Sequence, residues 1–151
     1  MIEEKMKNLG IKLPPPPERG GVYTMVKECG ELLYISGQGP VINGTITWKG
    51  KVGFDITPEE GQLAAKDCML NYLAAVKQHL GSLDRITDFV KILGFVQSAQ
   101  GFGDQPFVMN AATEMISDIF GEDKLPSRSA IGVNELPGNI SVEIEGIVKF
   151  R

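Results

Sequence analysis

The stretch Thr87-Asp88-Phe89-Val90-Lys91-Ile92-Leu93-Gly94-Phe95-Val96-Gln97-Ser98 decides the fold. Read as a strand, it sets Phe89, Leu93 and Phe95 on one face and Val90, Ile92 and Val96 on the other. A strand apolar on both faces belongs inside a sheet that is covered on both sides. On its N-terminal side lies the clearest helix of the chain. Thr57 is a fitting N-cap, Pro58 a fitting first residue, and Glu60 completes a capping box. Ala65, Cys68, Met69, Tyr72, Leu73, Val76 and Leu80 then recur at helical spacing as one buried stripe, and Gly81 ends it. On the C-terminal side a second helix is predicted over about Pro106 to Phe120. Its stripe is Val108, Ala111, Ala112, Met115, Ile116 and Ile119.

Further out, Val22 to Cys29 and Leu32 to Ser36 read as a hairpin around Gly30-Glu31. Thr45 to Trp48 is a short strand between glycines. Ser129 to Asn134 and Ile140 to Phe150 read as two last strands, hinged at Leu136-Pro137-Gly138-Asn139. If those two pair as a hairpin, Arg128 and residue 143 share one sheet face, with roughly 13 Å of backbone between them. The order predicts a single α+β domain over residues 21–151, with five or six strands packed on two long helices. Residues 1–20 form an extension: a short helix near Glu3 to Leu9, then a stiff spacer at Pro14 to Pro17. Two helices cover only one face of such a sheet. The other face is expected to meet a second copy of the chain, giving a homo-oligomer.

Composition removes whole classes of function. With 15 Lys and Arg against 19 Asp and Glu, the net charge of −4 provides no overall basic surface for nucleic acid. No apolar run approaches the ~20 residues of a membrane helix. The N-terminus lacks the apolar core of a signal peptide, so a cytoplasmic address is expected. Cys29 and Cys68 form no CxxC and read as free thiols, Cys68 on the helix stripe. The single histidine, His79, sits where a cation suits a helix end. One histidine and two scattered cysteines make no usual zinc site, and the glycine clusters fit neither dinucleotide nor P-loop patterns. No metal and no cofactor are expected.

Several short motifs, taken together and in order, carry a family resemblance. They are Leu33-Tyr34-Ile35-Ser36-Gly37-Gln38, Asn71, the helix exit Leu80-Gly81-Ser82-Leu83-Asp84, and Phe107-Val108-Met109-Asn110. The strongest follow near the C-terminus: Pro126-Ser127-Arg128-Ser129, Leu136-Pro137 and Val142-Glu143-Ile144-Glu145-Gly146-Ile147. Over about residues 21–151 the chain resembles the reactive-intermediate deaminases (RidA or YjgF), also known as the endoribonuclease L-PSP family. The resemblance implies a chorismate-mutase-like α+β fold, a homotrimer with clefts between subunits, and cofactor-free hydrolysis of 2-imino acids to 2-keto acids and ammonia.

The resemblance also implies roles. Arg128 matches the family arginine that binds the substrate carboxylate, a task suited to a permanently charged, bidentate fork. Glu143 matches the glutamate that holds or activates water, and Glu145 reads as a solvated neighbour. Tyr23, Asn110, Ser36 and Gly37 match positions that border the family's cleft. Ala130 stands where many deaminases carry a cysteine, so contact there falls to the backbone carbonyl. The segments 46–50 and 98–105 look longer than the family core. Three functions follow as alternatives: imine deaminase, a non-catalytic trimer that senses a small carboxylic acid, and the ribonuclease or translation-inhibitor role attached to some relatives. The acidic charge and the lack of a basic-aromatic patch count against the last.

Overall fold

A computed structural model describes residues 1–151. Its elements are helix α1 (Ile2–Asn8), strands β1 (Val26–Cys29), β2 (Leu32–Gln38), β3 (Val41–Ile42) and β4 (Thr45–Ile46), helix α2 (Pro58–Leu80), strand β5 (Ile86–Gln97), helix α3 (Gln105–Phe120), and strands β6 (Ser127–Val133) and β7 (Val142–Phe150). Helix α2 begins as its sequence dictates. Thr57 Oγ1 accepts from the Glu60 amide, and Glu60 Oε1 accepts from the Thr57 amide, both at 3.1 Å. It ends at Gly81, whose left-handed backbone (φ +83°) closes the last turn onto the Lys77 carbonyl. No helix is long and apolar enough to cross a membrane.

The main sheet has the order β1-β2-β7-β5-β6, and α2 and α3 pack on one face of it. Strands β5 and β6 run parallel because α3 is a crossover between them; every other pair is antiparallel. This corrects the expected hairpin of the last two strands. β6 is an edge strand and β5 lies between it and β7. The side chains show why. On the helix-covered face β7 presents Val142, Ile144 and Val148, all fully buried, whereas β6 has only Ala130 and Gly132 beyond Arg128. The more apolar strand takes the interior place.

A second correction concerns β5. Its pairing with β7 slips between Phe89 and Lys91, so Phe89 joins Ile92 and Val96 on the helix face. There its ring meets Phe120 edge-on, with centroids 4.8 Å apart. Strict alternation had put Phe89 with Leu93 and Phe95; one extra residue in the strand reverses the parity. The open face is left with Tyr34, Leu93, Phe95, Ile131 and Ile147, together with Lys91, Glu143 and Glu145. Tyr34 and Ile131 are 45% and 43% exposed.

Other differences are local. The first strand starts at Val26, because Val22 is wholly exposed. β3 and β4 form a small separate hairpin around Asn43-Gly44, both with positive φ as such a turn requires. Asn71, buried in α2, donates to the Gly39 and Val41 carbonyls and ties the chain leaving β2 to the helix. Residues 1–13 pack inward: Met6 is buried, and Ile2, Ile11 and Leu13 lie against the core. The segment Lys12 to Pro16 lies along α2 as one wall of a cleft.

Two glycines hold the layers at their spacing. A Cβ at Gly146 would come within 2.5 Å of the Lys91 carbonyl oxygen and 2.8 Å of the Tyr72 hydroxyl, whereas the three atoms nearest to one at Gly94 all belong to the Met109 side chain. Backbone cannot retreat as a thioether can. Gly146→Ala is therefore expected to lower stability by about 3 kcal/mol, and Gly94→Ala by nearer 1 kcal/mol as Met109 repacks. Urea unfolding of both variants checks the ranking, and equal losses would mean that the β5–β7 contact is not the tight one.

Candidate functional site

On β7 the three buried residues Val142, Ile144 and Val148 send Glu143 and Glu145 to the open face of the sheet. Glu143 lies opposite Phe95 of β5. On its other side β2 slips register between Ile35 and Gln38, and the slip brings Gly37 against the glutamate. A Cβ at Gly37 would lie 2.8 Å from the Glu143 carboxyl carbon. Only glycine leaves room for the carboxyl to lie flat against β2. Burial pushes the Glu143 carboxyl above its ordinary value, and the charge of Glu145, two residues along the same face, adds to the rise.

Ser36 precedes Gly37 on β2 and faces the turn before β1. Ser36 Oγ donates to the Thr24 carbonyl at 2.7 Å, and the Ser36 amide donates to the Met25 carbonyl. These bonds hold the turn before β1 against β2. In that turn the Tyr23 hydroxyl accepts from the Gly20 amide, Arg19 donates to the Tyr23 carbonyl, and the ring stays 42% exposed. Gly37 thus adjoins Glu143, and Ser36 ties the turn that carries Tyr23 to the same strand. Beside it a hollow of about 370 Å³ is lined by Thr24, Lys27, Tyr34, Ser36, Lys91 and Glu145, among others. The larger cleft, about 910 Å³ between residues 12–16 and α2, is lined by none of the residues predicted for the site.

Arg128 lies elsewhere. On β6 it pairs with Ile92, whose side chain is in the core, so Arg128 points to the helix side. There Nη1 donates to Asn110 Oδ1 at 2.8 Å and to Thr113 Oγ1 at 3.2 Å, and Nη2 makes a longer contact of 3.5 Å with the Pro106 carbonyl. Ala130 follows on the same face, opposite Gly94 and against the core. Because β6 is an edge strand, alternate backbone groups along it lie free of the ladder.

Within one chain, then, the predicted residues fall into two groups. Ser36, Gly37 and Glu143 form one, with Tyr23 in the turn that Ser36 bonds, and Arg128, Asn110 and Ala130 form the other. The side chains of Arg128 and Glu143 point to opposite sides of the sheet, on strands separated by β5, about 9.5 Å apart at two strand spacings. The shared face expected from a hairpin does not exist. Thr113 was not foreseen, although its place one helical turn after Asn110 puts it on the same side of α3.

The remaining chemistry-bearing residues have structural partners. Cys68 is fully buried and its thiol donates to the Val142 carbonyl at 3.3 Å; burial pushes it well up, with Asp67 and Glu143 adding. Cys29 is exposed at the end of β1. His79, in the last turn of α2, bonds Glu28 at 2.8 Å. No group of three or more His, Cys, Asp or Glu side chains converges as metal ligands would.

Comparison with known proteins gives a consistent answer. Residues 3–143 match the family model described as "YjgF/chorismate_mutase-like, putative endoribonuclease". The match includes most of the extension. A Trypanosoma cruzi protein named TCP17 is 35% identical over 153 residues, covering 99% of this chain and 94% of the relative. A 2-iminobutanoate/2-iminopropanoate deaminase of Dermatophagoides farinae is 31% identical over 138 residues, covering 91% of this chain and 93% of that one. The crystal structure of an Agrobacterium tumefaciens protein of unknown function superposes with a TM-score of 0.92 at 40% identity, over 99% of this chain and 92% of the other. The resemblance read from Arg128, Glu143 and their flanking motifs is borne out at the level of family and fold: the chain belongs to the YjgF/chorismate-mutase-like family that includes the RidA proteins.

Proposed function

We propose that this protein hydrolyses small reactive 2-imino acids to 2-keto acids and ammonia, in a cleft built by adjacent copies of a homotrimer. The observation that carries the reading is the division of the site. One chain presents the Arg128 guanidinium on one side of its sheet and the half-buried Glu143 carboxyl on the other, and neither group faces an opposite charge within the chain. Packing the open face of one copy against the β6 edge of the next brings Glu143 of the first toward Arg128 of the second. The same contact covers Tyr34, Leu93, Phe95 and Ile131, which two helices cannot reach.

The chemistry needs few parts. The guanidinium of Arg128 holds the substrate carboxylate, which leaves the imine carbon C2 pointing at Glu143. Ionised Glu143 accepts a proton as water adds to C2 of the protonated imine, forming a carbinolamine. Returned to nitrogen, that proton makes the amine a leaving group. As the C2–N bond breaks, the electron pair of the C2 hydroxyl forms the carbonyl and its proton passes to Glu143; 2-keto acid and ammonia depart, and the glutamate returns that proton to ammonia or water and is ionised again. No electrons are transferred. Ser36, Gly37 and the Ala130 backbone border the reacting carbon and limit access of bulk water. The deaminase relative from Dermatophagoides farinae supports the reaction class.

Three measurements test the reading. Light scattering is expected to give a mass near three times 16.4 kDa, and a stable monomer at micromolar concentration would leave the two half-sites apart. Arg128→Ala is expected to weaken 2-ketobutyrate binding at least tenfold, as the loss of a hydrogen bond to a charged group implies. Glu143→Gln should bind the keto acid nearly normally and release ammonia from freshly generated 2-iminobutyrate roughly 10²–10⁴ times more slowly. Only the ionised glutamate accepts a proton, and burial raises its pKa. The acid limb of kcat/KM should therefore lie above 4.5, the ordinary value for this carboxyl, and should vanish from the residual activity of Glu143→Gln. Keto-acid binding without ammonia release by the wild-type protein would make the chain a carboxylate-binding trimer instead.

A further inference from the structure

We infer that Thr113 is a positioning residue for the carboxylate site, and that it fixes which edge of the Arg128 guanidinium meets the ligand; the inference rests on the carboxylate-binding role proposed for Arg128. Pro106, Asn110 and Thr113 follow one another at spacings of four and three residues, so they lie on one side of α3. Each offers an oxygen to Arg128: a backbone carbonyl, a side-chain amide and a hydroxyl.

The hydroxyl is not free to turn. Thr113 is 9% exposed, and its Oγ1 donates to the Asn110 carbonyl at 3.3 Å. With its single hydrogen committed to the helix backbone, it faces Arg128 only as an acceptor. A guanidinium has five N–H donors in a fixed plane. Nη1 spends both of its hydrogens on Asn110 and Thr113, and one Nη2 hydrogen points toward the Pro106 carbonyl. The Nε–H makes no bond to the protein, and Nη2 has no contact beyond the long one with Pro106. The Nε/Nη2 edge is thus the least engaged side of the guanidinium, and it is the side-on fork that matches the two oxygens of a planar carboxylate. Without Thr113, one short bond to Asn110 and the long Pro106 contact would leave the guanidinium room to swing. The second contact on the same nitrogen stops that swing and keeps the open edge turned outward.

The test is isosteric. Thr113→Val removes the oxygen and keeps the shape, while Thr113→Ser keeps the oxygen. Calorimetry with 2-ketobutyrate on folded trimers is expected to show binding weakened roughly three- to tenfold in Thr113→Val and within twofold of wild type in Thr113→Ser. In the ammonia-release assay KM should rise in Thr113→Val with kcat nearly unchanged. Against an Arg128→Ala background the valine substitution should change binding less than twofold, since a residue that acts through the arginine has nothing left to position. If Arg128→Ala loses binding but Thr113→Val keeps it, the positioning role is wrong and the carboxylate site stands. Equal losses in the valine and serine variants would trace the effect to packing, which also overturns it. Normal binding in Arg128→Ala would remove the carboxylate site and this inference with it.

Discussion

Successive side chains on a strand face opposite ways, and on β7 that alternation leaves no choice. Val142, Ile144 and Val148 are fully buried beneath the helices. A shift of one residue would put Glu143, Glu145 and Ile147 into the core in their place, with two carboxylates deprived of water. Register is therefore fixed by hydrophobic burial, and Glu143 is carried to the open face as a consequence. Everything near it is built to that position. β2 bulges so that Gly37 meets the carboxyl, and Gly146 allows the β5 backbone to approach. Two buried cross-links hold this arrangement. Asn71 secures the chain as it leaves β2, and Cys68 donates to the carbonyl of Val142, the residue just before the glutamate.

Cys68 also shows how one buried neighbourhood serves two groups differently. Burial and the nearby acids Asp67 and Glu143 hold its thiol protonated, so it remains a hydrogen-bond donor and is a poor nucleophile. The same desolvation raises Glu143, but the carboxyl lies on the outer side of the strand, where water and ligand can reach it. The strand separates a structural thiol from a candidate proton acceptor by the thickness of one backbone.

Much of this was legible in the residues. The capping box at Thr57, the glycine stop at Gly81 and both helical stripes depend on local spacing, and the helices begin and end within a residue of expectation. The two-layer α+β arrangement followed from one doubly apolar strand and two amphipathic helices. What was not legible depends on contacts between distant segments. A period-two reading cannot see a bulge, so Phe89 was assigned to the wrong face. Adjacent strands in sequence suggest a hairpin, yet the burial of β7 outweighs that proximity and inserts β5 between them. Thr113 was overlooked for a different reason. A threonine inside a helix reads as a hydroxyl bonded back to its own turn. It does make that bond, and the second partner, Arg128, enters from a strand fifteen residues later.

The separation of Arg128 from Glu143 has a thermodynamic consequence. A lone chain carries each group without its complement: a guanidinium with an unpaired edge, and a carboxyl raised by burial and by Glu145. Bringing a partner's arginine edge near that carboxyl supplies the opposite charge that neither has at home, and it excludes water from the space between. In the proposed trimer, assembly would then offset part of that rise without cancelling it. Glu145 works in the other direction and keeps the carboxyl basic enough to take a proton. In the proposed trimer, an arginine from one copy and Glu145 within the other would thus act on Glu143 in opposite directions. The position of that balance, set by how closely the edge of β6 approached the open face, would determine how basic Glu143 is when substrate arrives.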